Sequence, residues 1–211
     1  MDKNNLLKLS NKLSLLKSKA IYGANASGKS NLISALACFI AIVNNSVKDD
    51  KILKNKIEPF RLSTETENKA SFFQLSFLVK GILYRYGFEA TQNEIKSEWL
   101  FGTPGKKEVL FFTREGKNIS VNENQFKEGS KLIDLYNQED NDIARGNSLF
   151  LTAVKSFSSG IAKEIVDYFS NIIVISGLSD FYLYKKAEES LGNEEKRMKI
   201  FELLKIADLG I

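Results

Sequence analysis

The chain has 211 residues, of which 43% are hydrophobic and 27% charged, so a folded protein with a substantial core is expected. One cysteine and no histidine exclude a disulfide framework, Ser-His-Asp triads and histidine metal ligands. The net charge of +4 fits a polyanionic ligand such as a nucleotide, but it is too small to indicate a nucleic-acid-binding protein.

Residues 1–18 are predicted to form an amphipathic or irregular lead-in, and they lack the continuous apolar stretch of a signal peptide. No apolar run reaches the ~18 residues of a membrane span. We therefore expect a cytoplasmic protein without a membrane anchor. The single Cys38, inside an apolar helix, is interpreted as a small buried core residue.

The most specific motif is a complete phosphate-binding loop. Residues 23–30 read Gly-Ala-Asn-Ala-Ser-Gly-Lys-Ser, which matches G-x-x-x-x-G-K-[ST]. A strand over Lys19–Tyr22 is predicted before the loop. A helix from about Lys29 to about Asn44 is predicted after it, apolar on nearly every side and buried against a sheet. Strand, loop and helix are the context in which this motif binds phosphate.

Each residue of the motif has an expected role. The backbone N–H groups of residues 25–30 are expected to cradle the phosphates at the helix N-terminus. Lys29 is the predicted catalytic side chain, neutralising charge on the γ-phosphate, and the Ser30 hydroxyl is the predicted Mg²⁺ ligand. Asn25 is a candidate for contact near the γ-phosphate. The full predicted binding set is Gly23, Ala24, Asn25, Ala26, Ser27, Gly28, Lys29, Ser30 and Asn31.

A different pattern begins after Pro59, beyond a charged connector predicted over residues 47–56. Short aromatic or β-branched runs follow one another with turn residues between them and no helical segment. Strands spaced so closely pair antiparallel as a meander. The predicted strands are 71–79, 82–90, 95–101, 109–114 and 119–121.

The last third is predicted to be mainly helical. Helical spacing is seen over 147–157, in the stripe Ile161, Ile165 and Phe169, and over Glu194–Ala207. Residues 172–175 are predicted to form a strand. Glu139 lies in an acidic stretch that is interpreted as a solvated loop rather than a catalytic base. The predicted division is 1–58 for the phosphate-loop unit, 59–125 for an antiparallel β-subdomain and 126–211 for the helical region.

The sequence contains no recognisable motif for the second half of an ATPase site, the half that holds Mg²⁺. Hydrolysis normally uses an Asp at the end of an apolar strand to hold Mg²⁺, often followed by a Glu. The chain contains no Asp-Glu dipeptide, and the nearest runs, 132–134 and 165–167, read as helix. Small GTPases are excluded because no Asn-Lys-x-Asp occurs, and protein kinases because there is no His-Arg-Asp loop.

Residues 20–33, with Ala35 and Leu36 behind them, resemble the ABC-type ATPases of the SMC/RecF/OLD-like group. Within that group the chain looks most like bacterial AAA-family ATPases of the abortive-infection or phage-defence type. Residues 59–62, the strands up to Phe101, and residues 175–180 and 207–211 also look similar to that family. The resemblance implies an α/β P-loop NTPase fold, ATP with Mg²⁺, and a homodimer with ATP sandwiched between two heads.

Members of that group are usually longer, with an upstream strand, a Leu-Ser-x-Gly-type signature and an Asp-Glu strand. Ser158-Ser159-Gly160 echoes the signature superficially and is better explained by ordinary helix capping. We therefore expect an N-terminal lobe that binds ATP and hydrolyses it when the other motifs join it. The alternatives are a DNA-repair or chromosome-associated ATPase, with nucleic acid as a partner, a nucleotide-binding module without turnover, and an inactive fragment.

Overall fold

The structure is a computed structural model that describes residues 5–8, 14–60, 63–67, 69–138, 146–175 and 181–207. The chain divides into two compact units, residues 1–173 and residues 174–211. Glu139 with its acidic stretch, and most of the similar segments 175–180 and 207–211, lie outside the described residues. The three-part division into 1–58, 59–125 and 126–211 stays a prediction.

The first unit contains two antiparallel sheets and five helices among its described residues. The strands are β1 (Leu6–Lys8), β2 (Ser14–Leu16), β3 (Ser71–Val79), β4 (Ile82–Ala90), β5 (Ile95–Thr103), β6 (Val109–Glu115) and β7 (Asn118–Val121). The helices are α1 (Lys29–Asn45), α2 (Ile52–Lys56), α3 (Lys127–Gln138), α4 (Phe150–Phe157) and α5 (Ile161–Ser170).

The predicted meander is confirmed as a five-stranded antiparallel sheet in the order β3-β4-β5-β6-β7. Local turn chemistry fixes its first hairpin. Lys80 and Gly81 both have positive φ, 50° and 81°, as the two-residue turns that match the twist of a hairpin require. Val79 consequently pairs with Ile82, and the register continues without a break to Ser71 and Ala90.

The core lies between one face of this sheet and helices α1, α4 and α5. Phe39 of α1 stacks on Phe88 at 5.5 Å between ring centroids and meets the edge of Phe169 at 5.1 Å. Phe169 also packs against Phe77 at 4.7 Å. The predicted helical stripe on α5 is confirmed, because Ile165 and Phe169 are fully buried.

Helix α1 is buried over only part of its length. Its C-terminal half supplies the buried side chains, and the carbonyl oxygen of Val43 accepts a hydrogen bond from Thr152 Oγ1 at 2.7 Å. In its N-terminal half, Leu32 is 56% exposed and Ile33 41% exposed. The prediction of a helix buried on all sides is therefore wrong for its first two turns, because the five-stranded sheet covers only the second half.

Two predicted strands are not formed. Residues 19–22 and 172–175 are described and belong to no sheet. A strand exists only when it pairs with a neighbour, and within the described residues neither segment has one. Conversely, the hairpin of β1 and β2 lies inside the predicted lead-in, and α2 lies inside residues 47–56, where only a charged connector is predicted.

The second unit contains α6 (Phe181–Leu191) and α7 (Glu194–Ile206). The predicted helix over Glu194–Ala207 is confirmed to within one residue. Asn193 caps α7, since its Oδ1 accepts a hydrogen bond from the backbone N–H of Lys196 at 3.0 Å. Within the part of the chain that is described, no helix has both the length and the apolar character needed to cross a membrane.

Candidate nucleotide-binding site

The phosphate-binding loop owes its shape to its two glycines. Gly28 has φ +87°, a left-handed conformation that favours glycine, and it directly precedes α1. At Gly23, an added Cβ would lie 2.7 Å from Ser27 Oγ, so a side chain there would require the Ser27 hydroxyl to rotate away. Ala26 also has a positive φ, 61°, although it is not a glycine. The loop therefore holds a strained, specific conformation.

Lys29 bonds back across this loop. Its Nζ donates to the carbonyl oxygens of Gly23 at 2.7 Å and Ala24 at 2.6 Å, and it lies 3.4 Å from Ser27 Oγ. The positive charge is thereby held against the loop's own carbonyl oxygens. An anion at this point would replace uncharged carbonyl acceptors with charged oxygens, which form stronger hydrogen bonds with an ammonium.

The N-terminus of α1 leaves backbone donors available. The first intrahelical bond runs from Leu32 N to Gly28 O at 3.1 Å, so the N–H groups of Lys29, Ser30 and Asn31 have no acceptor within the helix. No side chain of the cap residue binds them, and the first turn carries no acidic residue. Residues 23–28 and Ser30 are exposed. The helix dipole and these donors fit a phosphate group.

Ser30 and Asn31 lie in the first turn of α1, both exposed, and Asn25 lies in the turn before it. The predicted site residues are consecutive in the chain, so the structure brings together one continuous loop. Within the described residues no group of three or more His, Cys, Asp or Glu side chains could hold a metal ion. The assignment of Mg²⁺ to the Ser30 hydroxyl, and the binding roles of residues 23–31, stay predictions.

A cleft of about 620 Å³ begins beside the loop and runs along α1. Its lining comprises Asn31, Ser34, Ala35, Ala37, Cys38, Asn55, Lys56, Ile57, Glu58, Ser71 and Phe73. The thiol of Cys38 donates to the carbonyl oxygen of Lys56 at 3.3 Å, and burial raises its pKa. Cys38 is half-buried rather than fully buried as predicted.

Two carboxylates that the sequence did not single out have defined structural tasks. Glu98 is fully buried on β5 and accepts hydrogen bonds from Tyr86 Oη at 2.8 Å, Phe150 N at 2.6 Å and Leu151 N at 3.0 Å. Two of these donors are the first backbone N–H groups of α4. Arg114 is also buried, with a guanidinium nitrogen 3.9 Å from Glu98. Glu98 therefore caps α4 and ties it to the sheet.

Glu128 of α3 caps α5 in the same manner. Its Oε1 accepts from Ala162 N at 2.6 Å, and its Oε2 accepts from Ser158 Oγ at 2.9 Å. The N–H of Gly160 in turn donates to Ser158 Oγ at 3.1 Å. Residues 158–160 lie at the start of α5 as the capping interpretation implies, but Gly160 is the N-cap residue and the N–H of Ala162 is bound by Glu128, a partner that sequence reasoning missed. A carboxylate already occupies the anion-binding position at this helix N-terminus.

Residues 20–199 match the family model described as "AAA domain, putative AbiEii toxin, Type IV TA system". The matched segment spans 180 of the 211 residues, including the whole phosphate-binding loop. No curated protein and no solved structure matches the chain at a significant level.

Proposed function

The chain belongs to this AAA domain family, and on that premise we propose that it binds MgATP through residues 23–31 as part of an ABC/SMC-like ATPase in a bacterial abortive-infection or toxin–antitoxin system. AAA domains bind ATP with Mg²⁺, and the family description names an AbiEii toxin and a type IV system. The finer assignment to the ABC/SMC-like group, and to phage defence, rests on the sequence resemblance.

One observation carries the proposal. The Lys29 ammonium, hydrogen-bonded to the Gly23 and Ala24 carbonyl oxygens, lies beside the uncapped N-terminus of α1. A side-chain cation and a set of backbone N–H donors lie on one exposed loop, which is the arrangement that binds a chain of phosphates. No other described helix N-terminus combines these features.

Within this proposal each group has a task. The N–H groups of residues 29–31 bind phosphate oxygens, and Lys29 leaves the loop carbonyls to neutralise the terminal phosphate. Ser30 would hold Mg²⁺ through its hydroxyl, and the metal would neutralise the charge of the phosphate groups. Hydrolysis would need a carboxylate beside the metal and a signature-type segment. In the family resemblance these come from further sequence and from a second head across the nucleotide.

The test is MgATP binding measured by calorimetry on the chain and on Lys29→Ala. Hydrogen bonds to charged groups contribute about 1.5–3 kcal/mol each, so we expect the affinity to fall by about 100-fold, equivalent to about 2.7 kcal/mol. Lys117→Ala, at an exposed turn residue, removes the same charge far from the loop and should bind as the wild type does. Equal affinity in the Lys29 variant, with an unchanged circular-dichroism spectrum, would refute the assignment.

A second candidate is nucleotide binding without turnover by this chain. It is supported by the roles of two carboxylates, because Glu98 caps α4 and Glu128 caps α5. Neither is therefore available as a general base. Phosphate release measured at saturating MgATP tests whether this chain turns over ATP. Turnover that Lys29→Ala abolishes and Lys117→Ala preserves would establish an ATPase and exclude the module without turnover. Tight binding with no release would exclude turnover by this chain alone.

A further inference from the structure

The five-stranded sheet has one long open edge. Strand β3 pairs with β4 alone and has nine residues, whereas the strand at the opposite edge, β7, has four. Natural sheets usually protect an edge with a charge, a proline, a bulge or a short strand. β3 has no charged residue and no proline, and its register against β4 is unbroken. Within the described residues its outer main-chain groups therefore remain available to another strand.

The sequence of β3 is self-complementary about Leu75. If a second β3 ran antiparallel to the first with Leu75 opposite Leu75, Phe72 would face Leu78 and Phe73 would face Phe77. Gln74 and Ser76 would face each other. The alternation places residues 72, 74, 76 and 78 on one face of the sheet and the others on the core face. Over residues 72–78, apolar residues would therefore meet apolar ones on both faces, and polar would meet polar; the terminal pair of Ser71 and Val79 is mixed.

The surface beside this edge is apolar and open. A groove of about 360 Å³ separates the first half of β3 from the exposed half of α1, and its lining includes Leu32, Ile33 and Leu36 with residues 72–75. Phe72, 59% exposed, is held against Trp99 at 5.5 Å between ring centroids. The charge of Arg85 on this outer face is neutralised by a bidentate pair with Glu108. An uncharged edge and an apolar groove do not suit a polyanion such as nucleic acid.

We propose that β3 is a homodimer interface, at which two copies of this chain pair their β3 strands antiparallel about Leu75. The pairing makes the same patch contact itself around a two-fold axis, as most homodimers do. It joins two five-stranded sheets into one of ten strands, a size that open sheets reach. The main-chain hydrogen bonds supply affinity, and the alternate side chains fix the register. This interface is independent of nucleotide, unlike the nucleotide sandwich expected from the family resemblance.

The test begins with sedimentation velocity on the nucleotide-free chain over a range of protein concentrations. The expected mass is twice 23.8 kDa. Ser76→Lys places two ammonium groups diagonally across the axis at an exposed position, where like charges are destabilising, and should yield a monomer with an unchanged circular-dichroism spectrum. The control is Ser120→Lys, the same substitution on the other edge strand, which should remain a dimer. Because Ser76 lies opposite Arg85 of β4 within the chain, urea denaturation of Ser76→Lys must also show that the variant is folded.

Charge complementation identifies the contact itself. Ser76→Glu alone should also be monomeric, and an equimolar mixture of the Ser76→Lys and Ser76→Glu chains should form a dimer. A monomeric wild type would overturn the proposal, as would a dimer that tolerates Ser76→Lys, or a mixture that fails to associate. A dimer that forms only with MgATP and ignores Ser76→Lys would point to the nucleotide sandwich and would also overturn it. The outcomes measured on the nucleotide-free chain do not depend on whether Lys29 binds ATP.

Discussion

The amine of Lys29 lies 2.6 Å from the carbonyl oxygen of Ala24, so the lysine and its own loop satisfy each other. Binding a phosphate would require this bond and its neighbour to Gly23 to be exchanged. The positions of the loop carbonyl oxygens therefore influence the affinity of the loop for an anion. Those positions depend on the backbone conformation of residues 26–28. Changes in backbone preference alone should consequently affect binding.

Gly28→Ala should weaken MgATP binding by about 5- to 30-fold. Gly28 has φ +87°, and an added Cβ would meet no heavy atom within 4 Å, so the substitution costs backbone strain and no clash. A left-handed residue with a side chain costs roughly 1–2 kcal/mol, and 1.4 kcal/mol corresponds to a factor of ten. Gly105→Ala, also without neighbours within 4 Å but without a positive φ, is the control. Calorimetric titration that gives equal constants for both variants would contradict the expectation.

Gly87→Ala should destabilise the sheet by about 1–3 kcal/mol through overpacking. An added Cβ would lie 2.6 Å from the carbonyl oxygen of Phe73 and 2.6 Å from Trp99 Cζ2. The tryptophan can move, but the strand carbonyl cannot. Trp99 is the single tryptophan of the chain, so its emission should shift to longer wavelength as the ring is displaced. Urea denaturation gives the free energy of unfolding, and an unchanged midpoint and emission spectrum would show that the site accepts a methyl group.

The meander was accessible to sequence reasoning because its signals are local. Alternation over 71–79 and the turn at Lys80 and Gly81 are each contained within a few residues, and the structure reproduces the predicted strands within two residues. The phosphate loop was equally accessible, since its motif is contiguous. The binding roles of the loop residues are inferred from general chemistry, and the fold alone does not test them.

The predictions that were wrong or missing concern residues whose structure depends on partners far away in the sequence. Residues 19–22 and 172–175 have the composition of strands, but composition does not supply a neighbouring strand. Glu98 lies in a strand, at a position where a charged residue predicts exposure to solvent. It is buried because it caps α4 by accepting a hydrogen bond from Phe150 N, 52 residues later. Glu128 likewise binds Ala162, 34 residues away. No period or spacing in one sequence encodes such contacts.

Because Glu128 caps α5, we expect that the stability losses of two substitutions at this contact do not add. Glu128→Ala should cost about 1 kcal/mol, as the loss of a helix cap does. In Gly160→Ala, the added Cβ would lie 1.5 Å from Glu128 Oε2 and so expel the carboxylate, at a similar cost. The double variant should lose less than the sum, because both changes remove one interaction. Urea denaturation of all four proteins measures the cycle, with the exposed Glu123→Ala as control. Strict additivity would exclude the shared contact.

Glu98→Gln should destabilise the chain by about 1–3 kcal/mol, since an amide cannot accept every hydrogen bond that the buried carboxylate accepts and its NH₂ would face N–H donors. Urea denaturation at pH 7 provides the measurement. Glu94→Gln, at a carboxylate on the sheet's exposed rim, should change the free energy of unfolding by less than about 0.5 kcal/mol. Equal losses in the two variants would mean that the cap on α4 contributes nothing.

The same pair of proteins also tests the ionisation of Glu98. Burial raises the pKa of this carboxyl, opposed by Arg114 and by the N–H groups of α4. Because the folded pKa lies above the unfolded value of about 4.3, the folded state holds the proton of Glu98 more tightly than the unfolded state does. The protonation of Glu98 therefore contributes fully to the free energy of unfolding below about pH 4. This contribution is lost as the pH rises through the folded pKa. The stability advantage of wild type over Glu98→Gln should therefore shrink from about pH 4 upward. Because the glutamine does not titrate, the other carboxylates cancel in the difference. An advantage that grows with pH would show that the donors around Glu98 outweigh its burial.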